Sequence, residues 1–169
     1  TQTDEQWLRQ AHIHFIQGAG FGKAGKEDSG TWEKLKNVPD RWNIQYKKIF
    51  KLRLGLTAFK HVGVFPEQAP NWDFIYRKVR ELKEQNPGST PKVLNLFAYT
   101  GAASLAARAA GAEVVHLDAV RQVITWSREN MELSVLNGIR WILEDAFKFV
   151  KREVRRGSTY QGIILDPPA

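Results

Sequence analysis

Beyond residue 65, the hydrophobic positions of the chain follow two alternating periods. Ile75, Val79 and Leu82 share one face of a 3.6-residue repeat that Asn71 can cap and Asn86-Pro87-Gly88 stops, which predicts a helix over 72–85. The apolar run 93–97 predicts a strand, and the small residues of 102–110, halted by Gly111, predict a helix. The alternation continues with a strand over 114–118, a helix over 121–133 and a strand over 140–143. Asp145 can cap the next helix, on which Phe147, Val150 and Val154 share a face and Gly157 lies just past the end. The last strand is 162–166. Near-continuous apolar strands alternating with helices predict a parallel sheet covered on both faces.

The first 65 residues read differently. Polar and aromatic stretches prevail, helix signals are few, and the short β-branched or aromatic runs 44–50, 50–56 and 61–65 predict strands of a small β-rich lobe. The glycine-rich stretch Gly18 to Lys26 nearly spells a phosphate-binding loop, with Gly20, four residues, then Gly25-Lys26. The position that should hold a Mg²⁺-binding Ser or Thr is Glu27, and no helix pattern follows, so it reads as a plain loop. The expected division is a lobe over 1–65 and an α/β domain over 66–169.

Composition narrows the partners. Lys and Arg outnumber Asp and Glu by 25 to 18, a net charge of +7, which favours polyanions and nucleic acid first. The 169 residues include no cysteine, so neither a disulfide scaffold nor a thiol nucleophile can come from them. No apolar run reaches the roughly 18 residues of a spanning helix, and the polar start has no secretory core. A cytoplasmic protein without membrane contact is the expectation.

Chemistry-bearing residues collect at the predicted strand ends, where open α/β sheets bind ligands. Asp118 closes the second strand, and a carboxylate there can accept both hydroxyls of a ribose or serve as a helix cap. The turn after the first strand holds one useful glycine, Gly101, where a dinucleotide fingerprint wants three. That disfavours a pyrophosphate and with it a nicotinamide-dependent dehydrogenase. Asp145 could accept from an adenine amino group, although a plain N-cap is the simpler role. Asp166-Pro167-Pro168, at the end of the last strand, could hold a flat acceptor, with proline fixing the backbone.

Taken together, Leu94-Asn95-Leu96-Phe97-Ala98-Tyr99-Thr100-Gly101-Ala102, Asp118, Glu144-Asp145-Ala146 and Ile164-Leu165-Asp166-Pro167-Pro168 resemble, in order and spacing, the class I S-adenosylmethionine-dependent methyltransferases. The closer resemblance is to the branch related to bacterial large-subunit rRNA cytosine-5 methyltransferases. The upstream run His61 to Trp72 is similar to the segment that precedes the catalytic domain there, so the resemblance covers residues 40–169. It implies an α/β fold, a Rossmann-like class I methyltransferase sheet, incomplete at its C-terminal end and preceded by the small β-rich lobe. It also implies S-adenosyl-L-methionine as cofactor, no metal, and RNA, rRNA in particular, as substrate and partner. The cofactor site would include the turn Phe97 to Gly101, with Tyr99, Thr100 and Gly101 along the methionine part. Asp118 would take the ribose, Asp145 with Ala146 the adenine, and Glu67 and Gln68 would close over the cofactor. Asp166, Pro167 and Pro168 would face the methyl acceptor.

The sequence also departs from the class. The general pattern opens a Gly-x-Gly-x-Gly loop with an acidic residue, and Phe97-Ala98-Tyr99-Thr100-Gly101 stands here instead, as in the cytosine-5 branch. Enzymes that methylate base amino groups carry an aromatic after the two prolines, whereas this chain has Ala169. Cytosine-5 chemistry needs a cysteine nucleophile, which in the related branch lies beyond Asp-Pro-Pro. The family sheet has seven strands where four are visible, which leads to the expectation of a longer native protein. The connection 134–139 is also shorter than the family's usual one.

A basic RNA face would use Lys34, Lys36, Arg41, Lys47, Lys48, Lys51, Arg53 and Lys60, and Lys151, Arg152, Arg155 and Arg156. Trp32, Trp42, Tyr46 and Phe50 interleave with the first group and could stack on a base, though aromatics of a small lobe more often form its core. His12 and His14 lack the neighbours of a metal site, and His61 and His116 read as structural. Alternatives to an RNA methyltransferase are one acting on a small molecule or protein, and a non-catalytic RNA-binding relic of the fold.

Overall fold

A computed structural model describes residues 3–20, 29–57 and 60–167. Most of the glycine-rich stretch, together with Pro168 and Ala169, lies outside these residues. The chain forms two compact units, Thr1–Asn43 with Leu54–Val64, and Ile44–Arg53 with Phe65–Ala169. The division therefore passes through both strands of a hairpin.

The first unit opens with a helix that the pattern of apolar residues did not suggest, α1 (Asp4–Gln10). Its signal is a capping box: the Thr3 hydroxyl accepts from Gln6 N while the Gln6 side chain accepts from Thr3 N. Strand β1 (Ile13–Gln17) pairs antiparallel with β2 (Gly30–Lys34), setting Phe15 opposite Trp32 with their rings edge to face at 4.9 Å. The Trp32 indole N–H also donates to the carbonyl of Thr57. Both contacts hold Trp32, which is half-buried.

Strands β3 (Arg41–Tyr46) and β4 (Phe50–Gly55) form the hairpin; β4 matches the predicted run 50–56, whereas β3 starts earlier than the predicted run 44–50, whose residues 47–49 make the turn. The third run, 61–65, is not a strand. Gly63 turns it with φ 96°, a conformation closed to extended β-branched neighbours, and Pro66 then starts a 3₁₀ turn, Pro66–Gln68. That turn flows into α2 (Ala69–Gln85), one turn earlier than predicted. Pro70 occupies the first helical turn, where its missing N–H costs nothing. Asn71 accordingly does not cap the helix; its amide donates to Gln68 Oε1 at 2.6 Å.

The second unit continues as predicted, with β5 (Lys92–Leu96), α3 (Ala102–Ala109), β6 (Glu113–Asp118), α4 (Arg121–Leu133), β7 (Ile139–Leu143), α5 (Ala146–Arg155) and β8 (Gly162–Leu165). The sheet is wholly parallel in the order β7-β6-β5-β8. Register sets Leu96 beside Leu117 and Leu165, and Asp118 beside Leu143, so all four carboxyl ends emerge along one edge. One face packs Leu94, Leu96 and Leu117 against Ala146 and Phe149 of α5. The buried face of α5 is thus built on Ala146 and Phe149 with Val150 at its side, whereas Phe147 and Val154 are exposed, unlike the predicted grouping. At β8 the α5 side is open. Ile163 and Leu165, on the α5 side of that edge strand, remain 63% and 61% exposed.

Candidate active site

The turn between β5 and α3 concentrates left-handed backbone conformations. Phe97 and Tyr99 both adopt positive φ, 54° and 50°, and Gly101 follows at 95°. A left-handed conformation costs an ordinary residue roughly 1–2 kcal/mol, so the surroundings must hold it. They do so from two sides. Tyr99 N donates to Asp118 Oδ2 at 3.0 Å, and Ala98 N donates to the carbonyl of Leu117. Below the turn, the Ser127 hydroxyl lies 2.7 Å from the Tyr99 carbonyl and Asn130 Nδ2 donates to the Thr100 carbonyl at 2.9 Å.

Asp118 does more than cap. Its Oδ1 accepts from Val120 N two residues on, and α4 itself has Val120 at its N-cap position with no side-chain bond there. The carboxylate is half-buried, with each oxygen on one backbone N–H. An ionised carboxylate offers about four acceptor positions, so among the described residues a second acceptor position remains on each oxygen. Asp145 follows β7 along the same edge and is exposed; its Oδ1 accepts from Lys148 N, which is the plain capping role. Ala146 is buried beneath it. Phe97 leaves 37% of its surface exposed, and Phe65 packs on Tyr99 with ring centroids 5.1 Å apart.

Asp166 follows β8 and joins the same edge from the other side. Gln68 Nε2 donates to Asp166 Oδ2 at 3.1 Å, and Asn71 holds the Gln68 oxygen. This brings the 3₁₀ turn carrying Gln68 and the exposed Glu67 over the end of β8, a contact between residues 98 positions apart. Pro167 is exposed at the strand end. Of the residues singled out in sequence, the structure thus gathers Gln68, Phe97, Tyr99, Thr100, Gly101, Asp118, Asp145, Ala146, Asp166 and Pro167 on one edge, with Glu67 in the adjoining turn. Pro168 lies outside the described residues.

Sequence reasoning read His116 as structural, which its burial bears out, and passed over the other buried polar residues behind this edge. Asn95 and His116 are register partners on β5 and β6, and Asn95 Nδ2, Ser104 Oγ, His116 and Ser127 Oγ form a continuous hydrogen-bonded row. The available signal was polar residues on otherwise inward positions, Asn95 inside an apolar strand and Ser127 and Asn130 beside Ile124 on the buried side of α4.

The predicted basic and aromatic groups sort differently. Tyr46, Phe50 and Trp72 form one aromatic cluster, with Phe50 and Trp72 buried, so they are core. Lys34 pairs with Asp40, Lys47 with Asp73 at 2.6 Å, Arg53 with Glu129, Arg152 with Glu144 and Arg156 with Glu153. Lys48 and Lys51 are exposed without an ion pair among the described residues, and both line a shallow depression of about 130 Å³ with Gln45, Phe50 and Ser134. His14 stands 3.9 Å from Glu33. No group of three metal-ligating side chains occurs among the described residues, and no helix there is long and apolar enough to cross a membrane.

A parallel sheet in this order, with a carboxylate closing the strand beside a tight loop-to-helix turn, defines a Rossmann-like α/β protein of the nucleoside-binding type. Within that class, the chain belongs to the S-adenosylmethionine-dependent methyltransferase family, whose profile matches residues 24–169. A solved S-adenosylmethionine-dependent methyltransferase from Agrobacterium tumefaciens is 42% identical and superposes with a TM-score of 0.84, covering 99% of this chain and 49% of its own. A Methanocaldococcus jannaschii protein provisionally named a ribosomal RNA large subunit methyltransferase is 38% identical over 164 residues, 96% of this chain and 43% of that protein. The ribosomal RNA large subunit methyltransferase K/L of Colwellia psychrerythraea is 30% identical over 135 residues, 73% of this chain. The chain spans only 18% of that relative's length.

Proposed function

We propose that the protein transfers the methyl group of S-adenosylmethionine to a base of RNA, with ribosomal RNA as the substrate, in the cytoplasm. The observation that carries the cofactor assignment is the Asp118 carboxylate, which locks Tyr99 N while keeping acceptor positions on both oxygens at the edge where four strands end. That donor set fits a nucleoside: Asp118 would take the ribose hydroxyls, Tyr99, Thr100 and Gly101 the methionine part, and Asp145 with Ala146 the adenine. RNA as the acceptor is supported by the names of the ribosomal RNA relatives and by the excess of Lys and Arg.

When bound, the cofactor supplies a sulfonium methyl that is already activated, so the protein's contribution is alignment and exclusion of water. The hydrogen bond from Gln68 to Asp166 would fix the acceptor side and bring Glu67 and Gln68 over the cofactor. Asp166, Pro167 and Pro168 would then present the base. Exposed Lys48 and Lys51 would meet the phosphate backbone. The finer reading, methylation at cytosine C5, rests on the branch resemblance alone; its cysteine nucleophile is not among these 169 residues.

Calorimetry with S-adenosylhomocysteine tests the assignment, with NADH as control. Wild type should bind the homocysteine cofactor saturably and ignore NADH. Asp118→Ala should bind at least ~10-fold more weakly, about 1.4 kcal/mol, while Asp118→Asn, which still accepts from Tyr99 N, should fall between. Equal binding by all three proteins would remove the site from this edge. Transfer of a labelled methyl group to deproteinised rRNA then tests the substrate, and label confined to small molecules would favour the small-molecule alternative.

A further inference from the structure

Behind the Phe97–Gly101 turn, the buried row of polar groups has a direction. Asn95 Nδ2 donates to Ser104 Oγ at 2.9 Å, which leaves the Ser104 proton for His116 Nδ1, also at 2.9 Å. A neutral ring accepting at Nδ1 carries its proton on Nε2, which faces Ser127 Oγ at 3.2 Å. Ser127 in turn lies 2.7 Å from the Tyr99 carbonyl and 2.7 Å from the Val123 carbonyl, so its own proton goes to a backbone oxygen. His116 is wholly buried, with the edge of Trp141 against it at 4.7 Å. The same groups touch the glycine of the turn: a Cβ on Gly101 would stand 3.3 Å from Ser127 Cβ and 3.5 Å from His116 Cε1.

We propose that His116 is a positioning residue for the cofactor turn, holding the Tyr99 carbonyl through Ser127 so that the Tyr99 N–H stays on Asp118. The inference rests on the cofactor assignment made above. Burial keeps the ring neutral, with a pKa pushed down to about 3 against the opposing effect of a direct hydrogen bond to the Tyr99 backbone, so the imidazole carries no proton to or from a substrate. Its contribution is a fixed donor and acceptor on opposite sides of one ring. Both sides are needed to orient two serines that sit on different helices, Ser104 on α3 and Ser127 on α4. Without that orientation, a turn with two left-handed ordinary residues loses one of the anchors that opposes its relaxation, and Tyr99 N can drift from Asp118. Asn130 supplies a second, independent anchor at the Thr100 carbonyl, so the turn should loosen without collapsing.

The test compares S-adenosylhomocysteine affinity and methyl-transfer kinetics in His116→Gln, His116→Leu, Ser127→Ala and Val79→Ala. The Gln amide can place a donor near the Nε2 position, Leu can place none, and Val79→Ala is a buried control on α2. His116→Leu and Ser127→Ala should weaken binding by on the order of tenfold, as expected for one lost buried hydrogen bond. His116→Gln should restore most of that affinity, and Val79→Ala should leave it unchanged even where it destabilises as much as His116→Leu. In steady state, the cofactor KM should rise more than kcat falls. Ser127→Ala, which barely changes volume, decides the matter if the leucine variant does not fold. Affinities that track global stability across all four variants, or wild-type affinity in Ser127→Ala, overturn the proposal. Absence of binding in the wild type itself would instead overturn the cofactor assignment.

Discussion

His116 is fully buried between two serine hydroxyls, and this ties the stability of the protein to acid. Desolvation holds its pKa down at about 3, against an ordinary value of 6.5. Between those values the unfolded chain binds a proton that the folded chain does not. The contribution of this ring to stability is therefore full above pH 6.5 and falls as pH drops toward 3, by about 1.4 kcal/mol per pH unit. In His116→Gln that loss is gone, so urea midpoints of variant and wild type should converge between pH 7 and pH 4. A constant gap over that range would mean the ring is already solvated in the folded state. Gly101 gives a second prediction at this scale. Its φ of 95° and the nearby Ser127 Cβ both oppose a side chain. Gly101→Ala should cost about 1–2 kcal/mol, readable as a drop of several degrees in Tm, with cofactor affinity falling alongside.

Helix α4 and strand β4 meet through an arrangement that depends on two repeats agreeing. Ser134 Oγ accepts from Lys51 N and lies 3.0 Å from Lys51 O and 2.7 Å from Asn130 O, Asn130 Oδ1 accepts from Arg53 N, and Trp126 Nε1 donates to Arg53 O. Four residues of helix rise about 6 Å and two residues of strand about 6.6 Å, so side chains at every fourth helical position can satisfy alternate strand residues. A free strand edge is thereby closed without another strand. Asn130 is the shared link, since its amide nitrogen also holds the Thr100 carbonyl. Asn130→Ala removes the acceptor of the half-buried Arg53 N–H and a donor to the buried Thr100 carbonyl, at up to about 1–3 kcal/mol each, and should lower the urea midpoint. Asn130→Asp keeps the bond to Arg53 N but not that to Thr100 O, and should affect cofactor binding more than stability. Equal effects of both variants on stability and binding would show that the two bonds do not act separately. These side-chain links were not legible in sequence, because they join residues more than 70 positions apart. The elements were legible wherever a repeat ran long enough: α4 begins and ends where its pattern predicts, and the strand ends collected Asp118, Asp145 and Asp166 on one edge. The pattern misplaced the start of α2, where Pro70 rather than Asn71 decided it, and the exposed side of α5, where Phe147 lies along Lys151 instead of in the core.

For the whole molecule, an excess of seven positive charges is a statement about partners, and the ion pairs decide which charges can act. Lys47 is committed to Asp73, whose carboxyl is held below its ordinary range by that same contact, and Arg53 stands against Glu129. Exposed pairs of this kind contribute little to stability, but each removes a cation from the surface available to phosphate. Lys48 and Lys51, on the rim of one shallow depression, remain available. Each phosphate contact on single-stranded RNA should contribute roughly −0.7 to the slope of log affinity against log salt concentration. Lys48→Gln and Lys51→Gln should each flatten that slope by about this amount, whereas Lys47→Gln should change it less. The comparison is made by fluorescence anisotropy with an unstructured RNA oligonucleotide between 50 and 200 mM salt, a range where each lost contact is resolved. Equal slopes for all three variants would place the RNA elsewhere and leave these lysines as a solvated face. An unchanged slope in Lys48→Gln and Lys51→Gln with a flatter one in Lys151→Gln or Arg155→Gln would move the interface to the exposed side of α5.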